Sequence, residues 1–332
     1  MKRRLLVFST LFTLASGALY AQQDKVITHF IFDKMSFNPA ATGINQGICG
    51  TTVYRNQWDR VNGAPNSALL NVEANLLPVI KQDLGVGISF YHDAIGFTRM
   101  NHVKLNASYR FNIAGAGRLG VGVGLGLFNI GMSPVWVPPV TQIDPSLPQG
   151  FSDNKFDLNG GLYWVGLQDY YVGISSTHLT APRLSDETGL PVGGSTTPST
   201  VTYDAARHYY LMGGKKFVDL IGDGVHLDAN ALLRTDLVKY SADINARVMY
   251  KDLAYGGLTY RTSDAIAIMV GARPFKLSSF GPPMDNLLVG YSYDITINKL
   301  AGISRGTHEV MLKYCYYLPP VPIQKSKHPR WL

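Results

Sequence analysis

The sequence is short of charge: Asp, Glu, Lys and Arg make up 16% of its 332 residues, against about 25% in soluble domains. Cysteine is nearly missing. Cys49 and Cys315 are the only two, which excludes a disulfide-dense scaffold and a cysteine-rich metal site. After residue 21 no apolar run reaches the roughly 18 residues of a membrane helix. The eight histidines are dispersed, with no H-x-x-x-H or E-x-x-H spacing, so no zinc site is indicated. No G-x-S-x-G elbow occurs; a Ser/His pair assembled across strands, as in a barrel-borne lipid hydrolase, would leave no spacing signal and stays a rival reading. The net charge is +7, but Lys and Arg are scattered and form no stripe, which argues against nucleic acid as a partner.

What is present points outward from the cytoplasm. Lys2, Arg3 and Arg4 precede an apolar run from Leu5 to Tyr20 that ends at Ala21. That is the layout of a secretory signal peptide over 1–21. No cysteine follows the run, so lipoprotein processing is not expected. Beyond it the dominant signal has period two. In 102–111 Val103, Leu105, Ala107, Tyr109 and Phe111 alternate with His102, Lys104, Asn106, Ser108 and Arg110, and the same pattern recurs in 225–234 and 240–250. Ten alternating residues make a strand with one apolar and one polar face, long enough to cross a bilayer at a tilt of about 45°.

Extending the count predicts fourteen strands, from 47–56 and 68–77 to 285–294 and 307–317. An even number suits a single-chain outer-membrane barrel. Connections alternate between long (57–67, 131–154, 177–206) and short (112–117, 166–168, 251–252), as outer loops and periplasmic turns do, with exceptions in short outer turns at 235–239 and 263 and a longer inner loop at 273–285. The predicted fold is therefore all-β, a transmembrane antiparallel barrel over 47–317 with a plug-like N-terminal segment, 22–46, on its periplasmic or lumenal side. A basic, proline-rich tail, 318–332, would lie in the periplasm.

The stretch "GAGRLGVGVGLGLFNIG" at 115–131 tests that reading. Gly115, Gly117 and Gly120 match the G-x-G-x-x-G nucleotide fingerprint. That fingerprint needs a helix after the turn, because the pyrophosphate sits on a helix N-terminus. Here Leu119, Val121, Val123, Leu125 and Leu127 alternate with glycine, so a strand follows and no cofactor is expected. Gly120, Gly122, Gly124 and Gly126 would leave its inner face bare, with room for a segment pressed against it.

Two stretches carry a family resemblance. One is Phe37-Asn38-Pro39 with Gly43; the other is Tyr54-Arg55-Asn56-Gln57-Trp58 with Gly63-Ala64-Pro65. Leu84-Gly85-Val86-Gly87 with Asp93 and Gly96 follows, and His308-Glu309-Val310-Met311-Leu312-Lys313-Tyr314 comes near the end. In order and spacing these resemble the PorP/SprF outer-membrane proteins of Bacteroidetes type IX secretion and gliding motility. The resemblance implies an outer-membrane component that works with PorK/PorN-type periplasmic ring proteins and a PorE-type peptidoglycan-binding lipoprotein. Some relatives anchor secreted proteins that bear a type B C-terminal signal. The tail departs from many members.

These readings give a set of candidate residues. Phe37, Asn38 and Pro39 are candidates for a lumen plug, and Arg55, Gln57, Trp58 and Asp59 for the first outer loop or a partner contact there. His308 and Glu309, as strand neighbours, face opposite ways, which argues against a catalytic dyad and suggests a role at the outer rim. In the tail, Lys325, Lys327, Arg330 and Trp331 offer charge and an aromatic anchor for periplasmic docking. In a closed barrel the first and last strands are neighbours, with Cys49 and Cys315 near the periplasmic rim on the same inward parity. A seam disulfide is expected there, with two buried free thiols as the alternative. The expected function is non-enzymatic, in type IX secretion within the outer membrane lipid. The alternative is a diffusion porin or hydrophobic-solute channel.

Overall fold

Bilayer lipid offers backbone N–H and C=O groups no hydrogen-bond partners, so strands can cross only as a closed sheet. The computed structural model describes residues 24–45, 47–133, 150–185, 202–220, 222–277 and 284–317. The leader 1–21 and the tail 318–332, with Lys325, Lys327, Arg330 and Trp331, lie outside the described residues.

The first seven strands of the barrel are β1 (Ile48–Asn56), β2 (Asn66–Asn75), β3 (Leu84–Ile95), β4 (Thr98–Ile113), β5 (Gly117–Met132), β6 (Phe151–Gly166) and β7 (Tyr170–Thr177). Two short strands, β8 (Arg183–Ser185) and β9 (Thr202–Asp204), follow. The remaining seven are β10 (His208–Phe217), β11 (Val225–Thr235), β12 (Tyr240–Tyr250), β13 (Ala254–Arg261), β14 (Ala265–Ala272), β15 (Leu288–Thr296) and β16 (Thr307–Tyr316). Fourteen of them pair antiparallel in a closed ring in which β1 meets β16. The seam is in full register, Cys49 opposite Cys315 and Arg55 opposite Glu309.

The period-two pattern sorts the faces. Leu105, Val123, Leu125, Leu127, Ile174, Ile244, Leu258 and Ile268 are exposed on the outer, lipid-facing surface, whereas Lys104, Asn106, Asp157, Asn159, Asp243 and Asn245 are buried inside. The connections 133–150 and 178–207, the two longest, open at one rim, which orients the barrel with that rim outward, although the 273–287 connection at the other rim is also long.

Three departures from the predicted elements have local causes. The second strand ends at Asn75 and not at 77, because Asn75 Oδ1 accepts from Leu77 N at 2.8 Å and Pro78 opens a single helical turn, Leu77–Ile80. Likewise, a 3-10 turn at Met284–Asn286 delays β15 to Leu288. The connection 177–206, predicted as plain loop, contains the β8–β9 ribbon, whose Leu184 buries against Phe128, Ile130 and Ala205.

Candidate functional site

Among the described residues, buried polar side chains are concentrated in the lumen. Residues 24–45 are packed against its inward face. Asp24 lies toward the outer end, accepting from Thr177 Oγ1 at 3.1 Å and bonded to Tyr210, and Gly43 lies toward the periplasmic rim against Glu73 and Arg110.

Much of this contact is to the segment's backbone. Ser175 Oγ donates to Phe37 O at 2.7 Å, Lys313 Nζ to Phe32 O at 2.6 Å, and Arg110 to the carbonyls of Thr42 and Gly43 at 2.7 and 2.9 Å. Glu309 accepts from the backbone N–H groups of Thr28 and His29 at 2.9 and 2.8 Å. Phe37 and Asn38 are fully buried. Phe37 packs edge-on against Tyr210, and Asn38 donates to Leu162 O on β6 and accepts from Ala40 N, which lets Pro39 begin a 3-10 turn. That turn lies on β5 where glycine removes the side chains: a Cβ on Gly122 would overlap the Ala40 backbone, and one on Gly120 would sit 2.9 Å from Ala40 O. Gly115 and Gly117 form the periplasmic turn before β5, both at positive φ (73° and 132°).

Above this contact, an alternating chain of ions runs along the inner wall: Glu309, Arg55, Asp294, Arg261, Asp243 and Arg234 follow one another at 2.8 to 3.0 Å. They come from β16, β1, β15, β13, β12 and β11. Thr28 joins the chain, its Oγ1 donating to Asp294 at 3.0 Å and accepting from Arg55 at 3.0 Å, and His29 Nδ1 lies 2.7 Å from Glu309. Charges this deep are tolerable because each has an opposite neighbour.

Two candidates therefore sit elsewhere than at the outer mouth. Arg55 is turned into the lumen and is 1% exposed, because inward parity on β1 aims it at the ion chain; it does not order the first outer loop. Glu309 is likewise buried and not at the rim, whereas its neighbour His308 faces outward and meets Tyr291 Oη at 2.8 Å. Gln57, Trp58 and Asp59 remain at the outer end. Asp59 N donates to Gly306 O at 2.8 Å and Trp58 N to Thr307 Oγ1 at 3.1 Å, so the first loop is stitched to the last. Gln57 and Trp58 line an outer vestibule of about 590 Å³ together with Asp24, Lys25, Tyr240 and Asn298. At the opposite rim the Cys49 and Cys315 sulfurs are bonded across the seam, with Cα atoms 4.1 Å apart.

Sequence reasoning missed the ion chain. Its only signal was a charged residue at inward parity on each of six strands.

No curated protein matches this chain. Among solved structures it is similar to the CymD monoaromatic hydrocarbon channel, with 10% identity and a TM-score of 0.50 over 86% of this chain and 93% of that one. It is also similar to a Pseudomonas aeruginosa FadL homologue, with 12% identity and a TM-score of 0.48 over 84% of this chain and 93% of that one. A third is the Acinetobacter baumannii outer membrane protein Omp33, with 5% identity and a TM-score of 0.46 over 83% of this chain and all of that one. The first of these shows the barrel fold alone. The model of the family described as type IX secretion system membrane protein PorP/SprF matches residues 19–314. That span takes in the lumenal segment and nearly the whole barrel, and the chain belongs to the PorP/SprF family of type IX secretion outer-membrane proteins.

Proposed function

We propose that this outer-membrane barrel is a non-enzymatic, closed component of type IX secretion that anchors or assists secreted proteins at its outer face and engages the periplasmic machinery at its inner one. Residues 24–45 act as a plug, with Phe37, Asn38 and Pro39 at its narrowest contact. The observation that carries this reading is the lumenal seating of that segment by buried hydrogen bonds and the Arg55–Glu309–Asp294 ions. A solute channel needs a continuous aqueous path, and a segment held by its own backbone is a fixed occupant. Gln57, Trp58 and Asp59, beside the outer vestibule, are the proposed client-side contacts. Inside, the tail with Lys325, Lys327, Arg330 and Trp331 docks on partners of the PorK/PorN ring or PorE type.

In a planar bilayer the full-length protein is expected to be silent, while Gly122→Val, which puts a side chain where Ala40 lies, conducts. Steady large currents from the unaltered protein would instead favour the porin reading. Cross-linking from intact cells is expected to recover periplasmic ring proteins and to lose them when 320–332 are deleted; unchanged recovery defeats the docking role of the tail.

A further inference from the structure

A second cavity, of about 300 Å³, opens on the short-turn rim below the plug, with Asp169 and Tyr170 at one edge and Asp252 at another. Its chemistry differs from that of the vestibule. Lys34 projects from the N-terminal segment into it and lies 3.5 Å above the Tyr171 ring centroid. Among the described residues no carboxylate comes within ion-pair distance of Lys34. Arg247 spends one side of its guanidinium on Asp228, and its Nη1 is buried with no hydrogen-bond partner among the described residues. Tyr163, only 1% exposed, has a buried hydroxyl that is likewise unpartnered among them.

The acids at the wall are largely committed elsewhere. Asp228 holds Arg247, and Asp252 faces Arg273 and Lys276 at 3.8 and 4.0 Å. Lys34, Lys215 and Lys216 thus line the cavity with Asp169, beside two buried donors without acceptors among the described residues. A buried donor with no acceptor keeps the full cost of its lost hydration, and a cation over an aromatic ring recovers only part of its own. One group that accepts from several donors and carries negative charge would satisfy all of them at once.

We infer that this periplasm-facing cavity is an oxyanion site that takes a carboxylate-type or other tetrahedral or planar oxyanion group between Lys34, Arg247 Nη1 and the Tyr163 hydroxyl. Because Lys34 belongs to the plug, an anion bound there ties residues 24–45 to the β6, β7, β11 and β12 wall. The source of the group is a free anion or the chain end of a periplasmic protein. The site does not depend on the secretion role: it rests on the cavity and its donors.

Calorimetry on the full-length protein in detergent micelles tests this with three probes: sodium sulfate, a short acetylated peptide with a free C-terminal carboxylate, and the same peptide as its amide. Saturable binding of sulfate identifies a free-anion site, and binding of the peptide acid alone identifies a protein chain end. Either result supports the inference when Lys34→Met weakens it at least tenfold and Tyr163→Phe weakens it less. Lys81→Met, an exposed lysine away from the cavity, should change nothing. Heat-modifiable gel mobility confirms that each variant is a folded barrel. No binding by sulfate or peptide acid overturns the inference, as does equal binding by the amide or by a folded Lys34→Met variant.

Discussion

Arg55 and Glu309 stand opposite each other across the seam, 2.8 Å apart, and both are almost wholly removed from solvent. Neither is isolated: Arg55 also reaches Asp294, and Glu309 holds His29 and the Thr28 backbone. Removing one member strands a charge in a medium of low polarity, which costs about 3–5 kcal/mol. Glu309→Ala is therefore expected to lose about that much in unfolding stability, read as the midpoint of heat-modifiable migration or of urea unfolding in micelles. Glu309→Gln, which keeps the acceptor shape for the Thr28 and His29 N–H groups, should lose distinctly less. Equal losses would mean that charge and not shape holds the segment. Gly122 makes the opposite point at the same scale, since it matters for the atoms it lacks.

At the scale of elements, the strands were legible because their rule is local: alternation decides which face meets lipid, and each run carries its own evidence. Val103 to Phe111 read as one face from sequence, and the strand stands where that pattern puts it. Ends were less legible. The Asn75 side chain accepts from Leu77 N where a helical turn begins, and period two cannot register such a competition. The β8–β9 ribbon escaped because three-residue strands carry no periodic signal and Leu184 is buried by residues distant in the chain, Phe128 and Ile130 on β5 among them.

The N-terminal segment has its own titration. Burial, with Lys313 and Arg247 adding repulsion, holds the Lys34 ammonium down to about 7, and Asp228 and Glu73 offset this only in part. Released from the lumen it would return to an ordinary value of about 10.4. Between those values the released form binds more protons, so docking strengthens as pH rises from about 7 and is weakest at and below it. Hydrogen-exchange protection of 24–45 is expected to increase from pH 7 to 9, beyond the intrinsic rate change, in the unaltered protein. Lys34→Met should flatten that rise; a rise that persists there would assign it to another group.

For the whole molecule, closure is the decisive property, and the seam is fastened near both ends. Arg55–Glu309 holds the outer part and Cys49–Cys315 the periplasmic rim. A crosslink between residues so distant in sequence restricts the unfolded chain strongly, worth about 2–5 kcal/mol. Non-reducing peptide mapping should return one Cys49–Cys315 species, and Cys49→Ser with Cys315→Ser should lower the unfolding midpoint while leaving a closed, folded barrel. Free thiols in protein purified from the outer membrane would count against the bridge.

By itself the sequence determined the class of fold, the number of barrel strands and which residues meet lipid, because those follow from local alternation and from the demand that every backbone group in lipid be paired. Tertiary structure alone decided what occupies the lumen and which charges meet there. Glu309 lies far along the chain from Thr28 and His29, yet it bonds the N–H groups of both. Only closure of the barrel brings them together, and no spacing in the chain records that distance.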